Sequence, residues 1–336
     1  MTALQLVGSP TSQFFFDLSM LYAGKVVCPV GFDLIYAVAY PDGYWQIKKD
    51  LHDVTPTLSL TEMMTGVKHC DVAVPHMFCE QGLTTVRILV EELLHIPMVG
   101  SNGYVLKIAQ DKNWTKLIAQ QAGIQVPNGV LLNNCESKAI NRINLDLPVI
   151  IKPNNADNSD GLTLARTTPQ LEKGVNTALT HDTNVLIEEY IDGRELRGGI
   201  LHIDGRFEIL PFIEYNVSET NPIRLATDKL EFDKDGNLKG QSAKEKIPAT
   251  CPASIAEPLH QKLSKMMEVM FTALNCRDFA MFDFRIDKKT HEPFLLEAGL
   301  FWSFSSKSMM SNMLDAAGMN LEEVTSNIWH QAINRD

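Results

Sequence analysis

The sequence predicts a mixed fold, with an α/β lobe at the N-terminus followed by α+β lobes. Three observations lead to this prediction. The chain has 336 residues, of which 45% are hydrophobic and 21% charged, so it can form two or three lobes with buried cores. Short apolar runs alternate with helical patterns in the first third, as they do in βαβ units on a parallel sheet. From residue 102 onward, strands around polar turns predominate.

The N-terminal and central lobes are predicted at residues 1–103 and 104–184. Apolar runs of strand length and one amphipathic pattern define the first lobe. A helical segment closed by a glycine, followed by two strands around a polar turn, defines the second. In the first lobe the predicted strands are 4–8, 34–40 and 72–75 and the helix is 83–95; in the second the helix is 111–123 and the strands are 149–152 and 162–166.

The C-terminal lobe is predicted at residues 185–336. Residues 216–252 within it are polar, rich in charge, Gly and Pro, and longer than an ordinary connection, so we predict a functional flap there. The predicted strands of this lobe are 185–190, 196–202, 206–212, 277–287 and 293–298, and its long helix is 255–275.

Charge and cysteine content exclude several classes of protein. The net charge is -11 and no basic run stands out, which argues against a nucleic-acid partner. The sequence has neither an apolar run of the ~18 residues that a membrane span needs nor a basic N-terminal signal. Its six cysteines have no metal-binding spacing and suit reduced thiols. We therefore expect a cytoplasmic protein without a membrane or nucleic-acid partner.

The segment from residue 278 to 299 is the most informative local pattern, because it alternates with period two on both of its arms. If the arms pair as a hairpin centred on Thr290, Asp283 lies opposite Glu297. Opposed carboxylates repel each other unless a cation lies between them. Magnesium is often held by one or two carboxylates together with water and phosphate oxygens. The hairpin predicts either a magnesium site or a solvated acidic face.

Two further segments have the composition of nucleotide-binding loops. A strand ending in Lys152 leads into a turn rich in Asn, Asp and Ser, whose backbone N–H groups could cover phosphates. Residues 184–199 contain a buried strand, a turn, and then Glu195 and Arg197. A strand edge can hold adenine through backbone groups while a carboxylate accepts from ribose hydroxyls. Taken alone, the first segment is more typical of a solvated loop and the second of a charged hairpin.

Together and in order, five motifs resemble those of the ATP-grasp fold and, more closely, the D-alanine–D-alanine ligase family: AQDKNWTK, VIIKP, EEYIDGRE, FDFRID and LLEAG. The resemblance covers nearly the whole chain. It implies a Rossmann-like N-terminal lobe, two lobes that clamp ATP, ATP and Mg²⁺ as cofactors, and a homodimer. It assigns to ATP the residues Lys112, Lys152, Ser159, Glu188, Glu189, Tyr190, Ile191 and Glu195, and to magnesium Asp283 and Glu297.

The resemblance also implies catalytic and substrate-binding residues. Lys229, in the flap, matches a lysine that approaches the γ-phosphate, and Ser308 matches a serine at the second substrate's carboxylate. Met281 stands where the family has an arginine that steadies the oxyanion, and Arg285, on the same strand face, would supply that charge by another route. The other substrate-binding candidates are His76, Asn158, Arg197 and Lys307.

Departures from the family pattern bear on the substrates. The segment GSPTSQFFFDLS lacks the glutamate that holds the amino group of the first D-alanine, and Gly299 replaces an asparagine of the second magnesium site. The variants DNSDGLTL, IRLATDKL and EAGLFWSFSSKS resemble those of the ATP-grasp ligase of mycosporine-like amino acid biosynthesis. That resemblance implies that ATP activates mycosporine-glycine through a phosphorylated intermediate, and that a Ser- or Thr-type amino acid then displaces phosphate.

Two alternatives to this reaction remain open at this point. A dipeptide ligase acting on D- or L-amino acids would turn over ATP with pairs of amino acids alone. A catalytically silent nucleotide-binding protein would release no ADP with any substrate, although such a protein has no need of all four of Lys112, Lys152, Asp283 and Glu297.

Overall fold

The computed structural model describes residues 1–133, 144–155, 159–225, 230–232, 238–241 and 249–335. The strands are β1 (Thr2–Gly8), β2 (Asp33–Ala39), β3 (Trp45–Lys48), β4 (Val72–Pro75), β5 (Gly129–Asn133), β6 (Val149–Pro153), β7 (Thr163–Ala165), β8 (Asn184–Glu189), β9 (Gly193–Ile203), β10 (Arg206–Ile209), β11 (Ile213–Tyr215), β12 (Leu230–Phe232), β13 (Leu238–Gln241), β14 (Ala249–Thr250), β15 (Phe279–Asp287) and β16 (Pro293–Gly299). The helices are α1 (Gln13–Ala23), α2 (Leu60–Gly66), α3 (Gly103–Gln110), α4 (Lys112–Gln121), α5 (Thr168–Leu179), α6 (Glu257–Ala273), α7 (Met309–Ala316) and α8 (Leu321–Ile333), with π-helical segments at Gly82–Val86 and Leu89–Leu93.

The first sheet has the order β3-β2-β1-β4 and confirms the predicted α/β start of the chain. Strand β1 pairs in parallel with both β2 and β4, and α1 follows β1 after a tight turn. At that turn, Gly8 has a φ of +87°, and a Cβ there would lie 2.1 Å from the carbonyl oxygen of Ala39. Only glycine fits a position with this φ and this close approach. The hydroxyl of Ser19 on α1 accepts from the Gly8 N–H, which fixes the helix against the end of the strand.

The middle sheet has the order β5-β8-β6-β7, and α5 packs on it. Strand β8 pairs with both β5 and β6, so it belongs to this sheet, although the predicted boundary after residue 184 assigns it to the C-terminal lobe. The predicted boundary after residue 103 remains a prediction. Next to this sheet, the side chain of Asp111 accepts from the Trp114 N–H at 2.8 Å and caps α4. The helix consequently begins at Lys112, with Lys116 one turn later on the same face.

The third sheet follows the order β14-β11-β9-β15-β16, with β10 paired to β9. The hairpin of β15 and β16 places Asp283 directly opposite Glu297, which confirms the predicted register. An irregularity between Asp283 and Phe284 shifts the pairing by one residue beyond this point. The two faces of β15 differ in polarity, as the alternation predicts. One face, which includes Phe282 and Phe284, lies in the hydrophobic core with α6, whereas Asp283 and Arg285 face a cavity.

The predicted helix at 83–95 forms as two π-helical segments, Gly82–Val86 and Leu89–Leu93. Within the described part of the chain, no helix is long and apolar enough to cross a membrane.

Candidate active site

Two cavities lie side by side; the smaller is between the middle and third sheets, and the larger also borders the first lobe. We call the smaller one the phosphate cavity; its volume is about 100 Å³. All the residues that the family resemblance assigns to ATP, from Lys112 to Glu195, line this cavity, and so do Asp283 and Glu297. Residues far apart in sequence meet here because β6 and β8 of the middle sheet face β15 and β16 of the third. The cavity has the cations and carboxylates that a nucleotide with a metal ion requires.

A buried carboxylate holds two lysines at the back of the phosphate cavity. The ammonium group of Lys152 donates to Glu188 Oε1 at 2.6 Å, and Lys116 Nζ lies 2.9 Å from Glu188 Oε2. Glu188 is only 2% exposed. Burial alone would raise the pKa of Glu188, but the two ammonium groups hold it below its usual range. Glu188, predicted to border the adenine, therefore also sets the position of Lys152.

Lys116 was not predicted as a site residue, and it does not line the phosphate cavity. Burial lowers its pKa to about 8, although the neighbouring Glu188 and Glu297 oppose this change; Lys152 adds to it. Its sequence signal was its place four residues after Lys112, on the same helical face. Lys116, Lys152 and Glu188 together carry a net charge of +1 below pH 8, and Lys116 acts on the cavity through Glu188.

The lowered pKa of Lys116 gives a pH prediction. As the pH rises through about 8, Lys116 loses its proton and the net charge of the three groups falls from +1 to zero. We expect the affinity for ATP to fall by roughly three- to tenfold between pH 7 and pH 9 in the wild type. In Lys116→Met the affinity is lower at pH 7 and nearly constant over this range. Calorimetric titration of ATP measures both, with the exposed Lys173→Met as control; a wild-type affinity independent of pH would contradict the prediction.

Asp283 and Glu297 border both cavities. Asp283 is held by Arg197 of β9, whose Nε and Nη2 donate to its two carboxylate oxygens. Among the described residues, no group of three or more His, Cys, Asp or Glu side chains could hold a metal ion. Two opposed carboxylates beside a cationic cavity do fit a magnesium ion that takes its remaining ligands from phosphate and water. Arg197 would orient the carboxylate of Asp283 at such a site.

Arg285 lies on the nucleotide side of the site. Its Nη2 donates to Glu195 Oε2 at 2.8 Å and to the carbonyl oxygen of Pro222 at 2.6 Å. It lines the phosphate cavity and not the larger one. The expectation that Arg285 replaces the arginine missing at Met281 is therefore not supported, since these bonds hold it on Glu195 and the start of the flap. Glu195, predicted to accept from ribose, is the partner of this arginine.

The larger cavity, which we call the substrate cavity, has a volume of about 580 Å³. Aromatic side chains from the first lobe and from the segment after β16 wall one side of it. Phe78 packs edge to face on Tyr22 and on Phe301, with ring centroids 5.3 and 5.4 Å apart. The predicted substrate residues Arg197, Lys307 and Ser308 line this cavity. Its size suits two small molecules bound next to each other.

Two predicted substrate residues, His76 and Ser308, make hydrogen bonds within the fold. His76 is completely buried, bonds to Gln5 at 2.5 Å and lines neither cavity. Burial, with a smaller effect from Arg87, lowers the pKa of His76 to about 3, so its ring is neutral. The Ser308 hydroxyl caps α7 and accepts from the indole N–H of Trp302 at 2.8 Å. These hydrogen bonds stabilise the start of the helix, and Ser308 also lines the substrate cavity, so its predicted contact with a substrate stays a prediction.

The predicted residues Asn158 and Lys229 lie outside the described part of the chain. One residue that sequence reasoning missed borders both cavities from the described start of the flap. This residue is Arg224, and its only sequence signal is a lone arginine in the segment NPIRLATDK.

A cavity of lysines and opposed carboxylates, joined to a second cavity, is the arrangement that an enzyme acting on a nucleotide and another small molecule requires. The sequence matches the family described as D-ala D-ala ligase C-terminus over residues 118–330. A D-alanine–D-alanine ligase A from Bradyrhizobium diazoefficiens is 31% identical over 270 residues, which are 76% of this chain and 67% of that protein. The chain belongs to the D-alanine–D-alanine ligase family.

Solved structures agree with the fold. The VanG D-Ala:D-Ser ligase from Enterococcus faecalis has a TM-score of 0.79 at 20% identity and covers 98% of this chain and 99% of its own. A D-alanine–D-alanine ligase from Bacillus anthracis complexed with ATP has a TM-score of 0.73 at 20% identity, with 99% and 97% covered. The predicted ATP-grasp fold is confirmed.

Membership of this family makes the chain an ADP-forming C–N ligase that uses ATP and Mg²⁺. The comparisons favour the dipeptide-ligase alternative over the mycosporine reaction, because the relatives and structures named above are ligases of D-amino acids. The homodimer and the cytoplasmic location remain predictions.

Proposed function

We propose that the phosphate cavity binds Mg·ATP and that the substrate cavity binds the two molecules to be joined, the second of which is an amino acid. One observation carries this proposal. Lys112, Asp283 and Glu297 line both cavities, so the terminal phosphate of ATP and an oxygen of the first substrate can meet at their boundary. A ligase that works through a phosphorylated intermediate needs this arrangement.

Each group of residues has a role that follows from its position in the two cavities. Lys112 and Lys152 offset the charge of the phosphates, and Glu188 with Lys116 keeps Lys152 in place. Asp283 and Glu297 would hold magnesium, which when bound neutralises charge on the phosphates. The aromatic wall around Phe78 gives the substrate cavity an apolar side. Positioning and charge neutralisation carry the reaction.

The reaction balances in two steps. An oxygen of the first substrate forms a bond to the terminal phosphorus of ATP, while the bond from that phosphorus to the bridging oxygen breaks and ADP leaves. The amine of the amino acid then forms a bond to the activated carbon, the carbon–oxygen bond breaks with its electron pair on phosphate, and the nitrogen loses a proton to solvent.

An amino acid is the first substrate that the family comparisons favour, which makes the protein a dipeptide ligase. Glu80, in the wall of the substrate cavity, offers a carboxylate for its ammonium group. That carboxylate is paired with Lys107, an ion pair whose side chains are about half exposed and therefore weakly held.

Mycosporine-glycine is the second candidate, and the cavity wall favours it. Phe15, Tyr22 and Phe78 lie beside Glu80 on the side of the cavity that the first lobe contributes. The family's glutamate for a D-alanine amino group is missing from the segment GSPTSQFFFDLS. Aromatic walls suit a cyclohexenone ring. In that reaction a Ser- or Thr-type amino acid would supply the amine.

Release of ADP by the purified protein distinguishes the two candidates. The protein is supplied with Mg·ATP and either pairs of D- or L-amino acids or mycosporine-glycine with an amino acid panel. Turnover with amino acid pairs, reduced in Glu80→Gln, supports the dipeptide ligase. Turnover with mycosporine-glycine and a red-shifted ultraviolet product supports the second candidate. The absence of turnover with both sets would contradict the proposed function.

A further inference from the structure

We propose that Arg224 is a catalytic residue that contacts the phosphoryl group as it moves from the phosphate cavity to the substrate cavity. The inference rests on the proposed function, and it adds a residue that neither the motifs nor the comparisons assign. Its starting point is position: the Arg224 side chain lines both cavities, at the boundary where the transferred phosphorus must pass.

The planar face of the Arg224 guanidinium group stacks on the ring of Tyr215. Its central carbon lies 3.3 Å from the centroid of the Tyr215 ring, and the side chain is only 9% exposed. Stacking uses the face of the guanidinium and leaves the N–H groups in its plane available to oxygen anions. The ion pair from Nη1 to Glu195 Oε1 is 3.6 Å long, which is beyond hydrogen-bond distance. The stacking on Tyr215 therefore holds Arg224 in place, while its ion pair with Glu195 is long and weak.

The neighbouring arginines are bound more closely. Arg197 donates through two nitrogens to Asp283, and Arg285 donates to Glu195 and to the Pro222 carbonyl. Only Arg197 of these two lines the substrate cavity, and Arg285 is confined to the phosphate cavity. Of the three, only Arg224 lines both cavities, and its ion pair is the longest of those that the three form among the described residues.

The start of the flap sets the position of Arg224. The carbonyl of Pro222 accepts from Arg285 at 2.6 Å, which ties the backbone two residues before Arg224 to strand β15. Tyr215, at the end of β11, is buried and provides the stacking surface. Arg224 thus rests on two sheet strands, and rigid elements of this kind place a catalytic group accurately.

The chemistry of phosphoryl transfer suits a planar cation here. As the oxygen of the first substrate bonds to phosphorus and ADP departs, negative charge spreads over the three remaining phosphoryl oxygens. Two N–H groups of one guanidinium can donate to two of these oxygens at once. Arg224 takes no proton in this step; it stabilises charge that increases in the transition state.

The test uses Arg224→Gln and Arg224→Lys in the full chain, with Arg194→Gln as the matched control. Arg194 lies on β9, pairs with Glu214 and lines neither cavity. We expect kcat for ADP release to fall by about 100-fold or more in Arg224→Gln, with ATP affinity by calorimetry within about threefold of wild type. The lysine variant keeps the charge and loses the planar pair of donors, so we expect a partial loss. The control is expected to stay within about twofold.

Rescue separates catalysis from flap anchoring. Free guanidinium ion is expected to raise the kcat of Arg224→Ala by about tenfold or more. It is expected to leave the kcat of the wild type unchanged. Unchanged kcat in Arg224→Gln, or a loss explained entirely by weaker ATP binding and without rescue, would overturn the inference. Both outcomes require an active wild type; a wild type without turnover on any substrate contradicts the proposed function instead.

Discussion

Replacing Lys152 by methionine is expected to lower turnover by at least about 100-fold and to leave the fold intact. The ammonium group of Lys152 lines the phosphate cavity and lies 2.6 Å from Glu188. Its loss removes a positive charge from the place where phosphates bind. The fold should survive because Glu188 keeps its second partner, Lys116, at 2.9 Å, so no buried charge is left alone.

Steady-state ADP release and thermal unfolding measure the two halves of this prediction. The exposed Lys173, on α5, is the control, because Lys173→Met removes one positive charge from the same region without contact to the cavity. Near-normal turnover in Lys152→Met would contradict the assignment of this lysine to the phosphates. A large fall in melting temperature would instead contradict the role of Lys116 as the remaining partner.

Glu297→Gln is expected to reduce turnover by about 100-fold or more and to raise the concentration of Mg²⁺ needed for half-maximal activity. Glu297 lies opposite Asp283 and borders both cavities. An amide keeps the shape of the side chain but removes the charge that a magnesium ion requires. Binding of Mn²⁺ in the presence of ATP, followed by electron paramagnetic resonance, gives a readout that does not depend on turnover.

Asp283→Asn is a less direct test of the same site. Asp283 is the partner of Arg197, and removing one member of a buried ion pair costs about 3–5 kcal/mol. The double variant Asp283→Asn with Arg197→Met restores the balance of charge and should recover stability without recovering activity.

Wild-type metal dependence in Glu297→Gln would refute the proposed magnesium site.

Local patterns in the sequence predicted the part of the site that lies on one hairpin. Period-two alternation identified the cavity-facing side of β15, and the turn centre at Thr290 placed Asp283 opposite Glu297. Both features depend on residues close together in the chain. The irregularity after Asp283 could not be predicted, since it shifts the register by only one residue between two alternating arms.

Tertiary contacts determine the roles of the residues that sequence analysis missed or could not place. Lys116 and Arg224 acquire their roles from Glu188 and Tyr215, which come from distant strands. Ser308 caps α7, a helix that was not predicted although Met310, Met313 and Leu314 have helical spacing. His76 lies at a matching motif position, yet its burial beside Gln5 could only be seen once β1 and β4 were paired.

Positional isotope exchange in ATP is the most direct test of the central claim that ATP first phosphorylates a substrate in the adjoining cavity. ATP labelled with heavy oxygen in its β–γ bridge is incubated with the protein, Mg²⁺ and the first substrate identified by ADP release, without the amino acid that supplies the amine. The account predicts that label moves from the bridge to the other β-phosphate oxygens, because transfer is reversible and the phosphate of bound ADP can rotate. Retention of all label in the bridge, under conditions where the complete mixture turns over, would contradict it.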